Sequence, residues 1–279
     1  MRERTDEPTV YDIPSEDERM NWAMEKAKLT LHHFEDSLKK PAPSQQYFSV
    51  KVKIVDGEHT EHIWLGDPSF DQDNNLFGVV GNRPIDVSTV KLHQKIGITK
   101  DLVSDWMIIK KGRLIGGYTI RAVRDGLEGD ALVDFDESLG GIRVDEGEDY
   151  FEPNFDTPEG AILALESAYD EDDIEKALAC KDFGKEAEIM LTPKIPINPD
   201  QEMIDKTAEV LKLSYIQHLK ENGMPKFDGV KRAFPDRTPL SENHYLITEV
   251  CTYPDGVQSI QQLNTYKTEE GWKVLAPEF

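Results

Sequence analysis

Three segments, Glu61–Leu65 (EHIWL), Ser104–Ile109 (SDWMII) and Gly116–Arg121 (GGYTIR), indicate the kind of fold that this chain adopts. They carry β-branched and aromatic residues and frame loops rich in glycine, asparagine and proline, which is typical of short strands. Upstream, Phe48–Ile54 alternates apolar and polar residues, and the turn Asp56-Gly57 predicts a hairpin with the strand that contains the first segment. Further strands are predicted at 76–80, 91–98, 106–109 and 118–123, with a turn at 111–112 joining the last two.

One amphipathic helix precedes these strands. Ser15 is a candidate N-cap with Glu18 three residues later, which is the pattern of a capping box. Apolar residues then recur at spacings of three and four and share one helical face: Met20, Met24, Ala27, Leu31, Phe34 and Leu38. One helix followed by a run of short strands favours an α+β fold, in which the helix packs on a strongly curved antiparallel sheet or a small barrel.

The order of the motifs carries a resemblance to a known family. A helix and a strand are followed by Glu61-His62-x-Trp64, a Gly-Asn-x-Pro turn at 81–84, Asp105-Trp106-Met107, and Gly-Gly-Tyr-Thr-x-Arg ending at Arg121. Over about residues 11–127 this order resembles the YegJ-like family of bacterial domains of unknown function. The resemblance implies a fold, and if the family motif marks a site, that site includes Glu61, His62, Asp105 and Arg121. Trp64 and Trp106 are included as candidate binding residues, although their apolar strand contexts also predict burial.

Acidic residues are concentrated in the second half of the chain. The formal net charge is −22, and residues 128–156 contain eleven acidic residues and a single arginine. Few apolar residues accompany these acids, so we predict an acidic linker at 128–156 between domains at 1–127 and 157–279. A solvated linker and an acidic arm that contacts a basic partner are alternatives, and the arm would use Asp145, Glu146, Glu148 and Asp149.

The second domain is predicted to begin at Thr157, a candidate N-cap followed by Pro158 at the first helical position. Helices are expected from there, after the acidic turn, and over 201–221, and strands at 244–253, 257–267 and 272–276. Helices followed by a meander that closes on Gly-Trp-Lys-Val at 271–274 are similar to the cone-shaped nuclear-transport-factor-two-like fold. The adjacent acids of the turn are further candidate binding residues, although helix capping explains them more simply: Asp170, Glu171, Asp172 and Asp173.

Several functional classes are disfavoured. The sequence has no motif for zinc hydrolysis, nucleophilic catalysis or phosphate binding. His59 and His62 would point to opposite faces of a strand, and Cys180 and Cys251 lack the spacing of metal or redox sites, so we expect no metal and no cofactor. The charge disfavours nucleic acid and anionic membranes as partners. The lack of a long apolar run or an apolar signal core predicts a cytoplasmic protein.

Three functional hypotheses follow. The first is a non-catalytic bacterial binding protein, most concretely an immunity or antitoxin-like protein that neutralises a basic toxin or nuclease through its acidic surface. The second is a small-ligand-binding or structural module. The third is an enzyme that uses a pocket in the cone domain, for which the candidate residues are Tyr215, His218 and His244. A scaffold alone does not choose between them.

Overall fold

The computed structural model describes residues 17–144, 148–192 and 199–276. The chain divides into two compact units, Met1–Glu146 and Gly147–Phe279. We call them unit 1 and unit 2.

Unit 1 has an α+β structure with one seven-stranded sheet. Its described helices are α1 (Glu18–Leu29), α2 (Leu31–Lys39), α3 (Tyr118–Asp125) and α4 (Gly129–Ser138). Its described strands are β1 (Gln45–Asp56), β2 (His59–Phe70), β3 (Leu76–Val80), β4 (Lys95–Gly97), β5 (Val103–Lys110), β6 (Arg113–Gly116) and β7 (Arg143–Val144). The sheet order is β4-β3-β2-β1-β5-β6-β7, and neighbours are antiparallel except β6 and β7, which are parallel.

The predicted hairpin forms the centre of this sheet. Gly57 has a φ of 61°, which suits the tight turn between β1 and β2. Val50 on β1 lies opposite Leu65 on β2 and Trp106 on β5, and all three side chains are fully buried. The Phe34 ring of α2 packs 5.9 Å from the Trp106 ring, measured between centroids. Irregular registers in β1–β5 and β2–β3 bend the strands, as β-bulges do.

The first helix differs from its prediction at its start and in its middle. Ser15 lies outside the described residues, and Asp17 is the N-cap of α1, where its side chain accepts a hydrogen bond from the Met20 backbone N–H. The apolar face predicted as one helix is divided between α1 and α2 at Thr30. The hydroxyl of Thr30 donates to the Lys26 carbonyl at 2.7 Å, a local side-chain bond that competes with helix continuation.

The segment predicted as a strand at 118–123 is instead the helix α3. Gly116 and Gly117 both have positive φ angles, 71° and 60°, and turn the chain out of the sheet before the helix begins. A Cβ on Gly116 would lie 2.5 Å from the Trp106 side chain, so only glycine fits there. The turn at 111–112 joins β5 to β6 rather than to the predicted strand.

The prediction of an acidic linker over 128–156 is wrong for its first part. Residues 129–138 form α4, which buries Phe135, and residues 143–144 pair with β6 as β7. The segment has few apolar residues, so its composition did not indicate a helix. The contacts that attach α4 include a buried aromatic side chain and an ion pair. Arg124 on α3 binds Asp136 on α4 through Nε at 2.7 Å and through a second guanidinium nitrogen at 2.9 Å.

Unit 2 has helices followed by a four-stranded antiparallel sheet, as the predicted order of elements requires. Its described helices are α5 (Pro158–Asp170), α6 (Ile174–Ala179), α7 (Phe183–Leu191) and α8 (Gln201–Asn222). Its described strands are β8 (Lys231–Ser241), β9 (His244–Thr252), β10 (Gln258–Thr268) and β11 (Gly271–Val274), in the order β11-β10-β9-β8. Thr157 caps α5, and its side chain accepts from the Gly160 N–H, as predicted. The sequence did not predict α7 or β8.

Candidate functional site

Asp105 of the family motif holds the start of α3. It is fully buried on β5, and its Oδ1 accepts hydrogen bonds from the backbone N–H groups of Trp106 (2.8 Å) and Tyr118 (3.0 Å). Its Oδ2 accepts from the backbone N–H (2.8 Å) and the hydroxyl (2.6 Å) of Thr119. Burial raises the pKa of Asp105, while the hydroxyl of Thr119 and the charge of Lys51 act in the opposite direction. A carboxylate with four donors at a helix N-terminus is a structural anchor.

Lys51 and Trp64 lie beside this anchor. Lys51 on β1 is opposite Trp64 on β2 and Asp105 on β5 in the sheet register. Its Nζ donates to the Thr119 hydroxyl at 3.3 Å and lies 5.6 Å from the centroid of the Trp64 ring. Burial lowers the pKa of Lys51, and the charge of Asp105 opposes this. Trp64 was predicted to be buried or nearly so, and it is partly exposed, so this ring is the accessible aromatic group of the motif.

Glu61 holds a loop against β2. Its Oε2 accepts hydrogen bonds from the backbone N–H groups of Ile85 at 2.8 Å and Asp86 at 2.9 Å. From the same loop, the side-chain oxygen of Asn82 accepts from the Trp64 backbone N–H at 3.2 Å. The Gly-Asn-x-Pro turn of the motif is therefore fixed to β2 by two acceptors, and Glu61 has a structural role in fixing it.

The other motif residues have separate surroundings. Trp106 is fully buried, as predicted, and its indole N–H donates to the Thr30 hydroxyl at 3.2 Å. The Arg121 guanidinium lies 5.1 Å from the centroid of the Tyr118 ring. His62 is exposed on β2, and partial desolvation followed by the positive charges of neighbouring lysines lowers its pKa to about 4. Most of the motif thus stabilises unit 1.

The acidic turn of unit 2 is bound internally. Each of its four acids has a partner: Asp170 accepts from the Phe227 N–H, Glu171 pairs with Lys176, Asp172 pairs with Lys226, and Asp173 accepts from the Lys176 N–H as the N-cap of α6. Helix capping was the simpler interpretation of these residues, and the contacts agree with it. They are therefore less suited to bind a partner than their composition indicates.

The four acids predicted to form an acidic arm do not share one kind of surroundings. Asp145 and Glu146 lie outside the described residues. Glu148 lies 3.5 Å from the Lys231 ammonium group. Asp149 is only 7% exposed, and its Oδ2 accepts from the Phe234 backbone N–H at 2.8 Å, so it is packed into unit 2 rather than held in solvent.

The helix α4 carries an exposed acidic surface in unit 1. Asp130, Asp134 and Glu137 are spaced by four and three residues, which places them on one side of the helix, and all three are exposed. We call them the acidic face of α4. Over the described part of the chain, none of the three side chains takes part in an ion pair or hydrogen bond, and Val133 beside them is 54% exposed.

A second candidate site lies inside unit 2, and the sequence analysis missed it. Glu166 on α5 and Glu249 on β9 are 3% and 0% exposed, and Cys251 on β9 is 1% exposed. One ligand atom from each residue lies within 4.8 Å of the others. Glu166 Oε2 accepts from Arg232 Nε at 2.8 Å, and Glu249 Oε2 accepts from Gln261 Nε2 at 2.6 Å.

Burial dominates the chemistry of this cluster. It raises the pKa of Glu166 to about 8, with the charge of Glu249 as the next cause, and it also raises the pKa of Glu249. Burial raises the pKa of the Cys251 thiol to about 12. A sequence signal existed, because Glu166 falls on the apolar face of α5 with Ile162 and Leu165, where a charged residue is unusual.

The three catalytic candidates from the sequence analysis each have different neighbours. The hydroxyls of Tyr215 and Tyr169 lie 2.6 Å apart, and His244 Nε2 lies 3.1 Å from the Asn264 side-chain oxygen. His218 lies on the exposed side of α8 and contacts Asn222 one turn later. No cluster of catalytic groups forms around any of the three among the described residues.

Comparison with known proteins confirms the resemblance of the first half. Residues 17–142 match the family described as "Uncharacterized protein conserved in bacteria (DUF2314)". The chain is 42% identical over 74 residues to "Uncharacterized protein YegJ" of Escherichia coli, covering 26% of this chain and 47% of that protein. It is 30% identical over 139 residues to a "Putative ankyrin repeat protein" of Neisseria meningitidis, covering 47% of this chain and 54% of that protein. The chain thus spans about half the length of these curated relatives.

A solved structure, a "Putative NTF2-like transpeptidase" from Campylobacter jejuni, is 11% identical with a TM-score of 0.28 and covers 43% of this chain and 99% of its own. The family model and the YegJ relative are uncharacterised, so they assign no activity. Among the described residues, no helix combines the length and the apolarity needed to cross a membrane.

Proposed function

We propose that this is a non-catalytic bacterial binding protein of the immunity or antitoxin type, which neutralises a basic protein partner in the cytoplasm. Its contact surface is the acidic face of α4. The observation that carries the proposal is the exposed row of Asp130, Asp134 and Glu137 on a helix attached to unit 1 by Phe135 and by the Arg124–Asp136 ion pair. A row of like charges on a fixed helix presents a defined pattern to a partner.

Helix stability explains Asp130, which lies in the first turn of α4 at the positive end of the helix dipole, but it does not explain Asp134 and Glu137. Like charges one helical turn apart repel, which costs roughly 0.2–0.5 kcal/mol per pair. Glu137 lies in the last turn of α4, near the negative end of the helix dipole, where a carboxylate is unfavourable. The acids of the unit 2 turn differ, since each of them caps a helix or binds a lysine or a backbone N–H. Asp134 and Glu137 thus have a cost for folding, and the acidic face of α4 is suited to contact.

The charge of the whole chain supports the same proposal. A net charge of −22 attracts basic proteins over about a Debye length and raises their association rate, roughly 10- to 1,000-fold in favourable cases. Fast association is what a neutralising protein needs, because the partner must be bound before it acts. Charged residues at the edge of an interface change the association rate more than the dissociation rate.

The test begins with the partner. The full-length protein is used at low salt to capture proteins from the native bacterium, and the expected result is one basic protein in stoichiometric amount. Association rates are then measured for the wild type and for the triple variant Asp130→Asn, Asp134→Asn, Glu137→Gln. We expect about tenfold slower association at ~0.05 M salt and a weaker dependence on salt.

A matched control changes the same number of exposed charges on another helix: Glu202→Gln, Asp205→Asn and Glu209→Gln on α8. We expect a much smaller effect from it. Equal slowing by both triple variants would show that only total charge matters. An association rate unaffected by the α4 variant would remove α4 from the interface.

A further inference from the structure

The interior of unit 2 holds two carboxylates whose outer oxygens are bound and whose inner oxygens are not. Glu166 Oε1 and Glu249 Oε1 are buried and accept no hydrogen bond from an N–H donor of the described residues, and the two carboxyl groups are close enough to share a proton. The Oε2 atoms are held by Arg232 and Gln261 at 2.8 Å and 2.6 Å. Each carboxylate is thus fixed by one oxygen while the other stays available.

Cys251 completes the donor set. It lies two residues after Glu249 on β9, so both side chains point to the same face of the strand, towards Glu166 on α5. The three donor atoms lie within 4.8 Å of one another. Donor atoms around a four-coordinate Zn²⁺ are about 3.4–3.7 Å apart, given the usual Zn–O and Zn–S distances. Small side-chain rotations would therefore bring the three donors onto one ion.

The charges of a metal-bound cluster would balance. If a metal ion displaces the protons of both carboxyl groups and of the thiol, the site has three negative charges, and Arg232 supplies one positive charge at 2.8 Å from Glu166. A divalent ion would bring this buried site to neutrality, and buried charge is costly unless it is compensated. Arg232 and Gln261 are placed as outer groups that orient metal ligands, which is a regular feature of metal sites.

We propose that Glu166, Glu249 and Cys251 bind one divalent transition-metal ion, with Zn²⁺ as the best match. The thiolate favours Zn²⁺ or Co²⁺ over Mg²⁺ and Ca²⁺, which prefer oxygen-only sites. Three protein ligands leave a fourth position for water or a small ligand. Gln261 and Ser259 on β10 lie opposite Glu249 and Cys251 in the sheet register, and both are exposed. This site is separate from the acidic face of α4 and does not depend on it.

The test uses the full chain, stripped with a chelator and then given Zn²⁺ or Co²⁺ at micromolar concentration. Elemental analysis after desalting should find one ion per chain, and Co²⁺ should produce a near-ultraviolet thiolate charge-transfer band. Cys251→Ser should abolish the band, while Cys180→Ser, which changes the other buried cysteine, should retain it. Glu249→Gln should weaken binding by at least about 100-fold, because it removes a ligand.

A further variant avoids the buried cluster. Gln261 is exposed and contacts Glu249 from outside the donor set, so Gln261→Ala should fold normally and weaken binding about 10- to 100-fold. Gln262→Ala, at the next exposed position of β10, should leave affinity unchanged. Folded wild-type protein that retains neither ion would overturn the proposal and leave a carboxyl pair that shares a proton. A cobalt band that persists in Cys251→Ser would also overturn it.

Discussion

Replacing Asp105 by asparagine should destabilise unit 1 severely. Asparagine has nearly the same shape as aspartate, but its amide nitrogen is a hydrogen-bond donor. In one orientation this nitrogen would face the Trp106 and Tyr118 N–H groups, and in the other it would face the N–H and hydroxyl of Thr119. Two buried hydrogen bonds would be lost in either orientation. Lys51 would also lose the nearby negative charge that opposes its deprotonation.

The magnitude can be worked out from these contacts. Each buried donor left without an acceptor costs about 1–3 kcal/mol, and loss of the carboxylate at the α3 N-terminus costs up to about 2 kcal/mol more. Breaking a buried charge pair by removing one partner costs about 3–5 kcal/mol, which is in the same range. We therefore expect a loss of about 3–5 kcal/mol, a large part of the roughly 5–15 kcal/mol that a domain has.

The assay is urea unfolding followed by tryptophan fluorescence in a Trp272→Phe background, so that the signal comes from the three tryptophans of unit 1. Asp101→Asn, the same chemical change at an exposed residue close to Asp105 in the chain, is the matched control and should stay within about 0.5 kcal/mol of the parent. Lys51→Met should cost less than Asp105→Asn, because the carboxylate keeps its four donors. An Asp105→Asn protein as stable as the Asp101→Asn control would refute the anchoring role.

Two other predictions concern the same core. Burial, with the charges of His32 and Lys110 as further causes, lowers the pKa of His33 from 6.5 to about 4, so the unfolded chain binds the proton first as the pH falls. Unit 1 should therefore lose about 1–2 kcal/mol of stability between pH 6.5 and about 4, after allowing for partial exposure of the ring. Urea unfolding midpoints measured across this pH range should fall less in His33→Gln than in the wild type. An equal loss in both proteins would contradict this. Trp106→Ala should cost about 3–5 kcal/mol because the ring is fully buried, whereas Trp64→Ala should cost clearly less; a Trp106→Ala protein of unchanged stability would contradict the core assignment.

Local sequence signals predicted the elements whose causes are local. The Asp56-Gly57 turn and the Thr157 cap with Pro158 are read directly from neighbouring residues, and the structure has both features. The helix α3 was predicted wrongly because its stabilising group, Asp105, is supplied by another strand. The strand β8 was missed because it contains Pro235 and Pro239, which an edge position of the sheet tolerates.

The candidate sites, like the elements of the fold, were predictable only where their causes are local in the sequence. Acidic composition pointed to the segment that contains α4, but it could not show which carboxylates are already bound, as those of Asp170–Asp173 are. The cluster of Glu166, Glu249 and Cys251 joins a helix to a strand far along the chain, so no spacing rule detects it. The position of Glu166 on the apolar face of α5 was a local signal, but the proximity of Glu249 and Cys251 became visible only with the fold.

The outermost strands of the unit 1 sheet are its shortest, with three residues in β4 and two in β7. A sheet edge offers unpaired N–H and C=O groups on which another chain can add a strand, and short edge strands limit this. The chain reaches β7 only after passing through α3 and α4, so the acidic segment also covers the side of β6. A protein cut after Leu127 would expose that side next to Leu114 and Ile115, and we expect such a fragment to aggregate by edge-to-edge pairing.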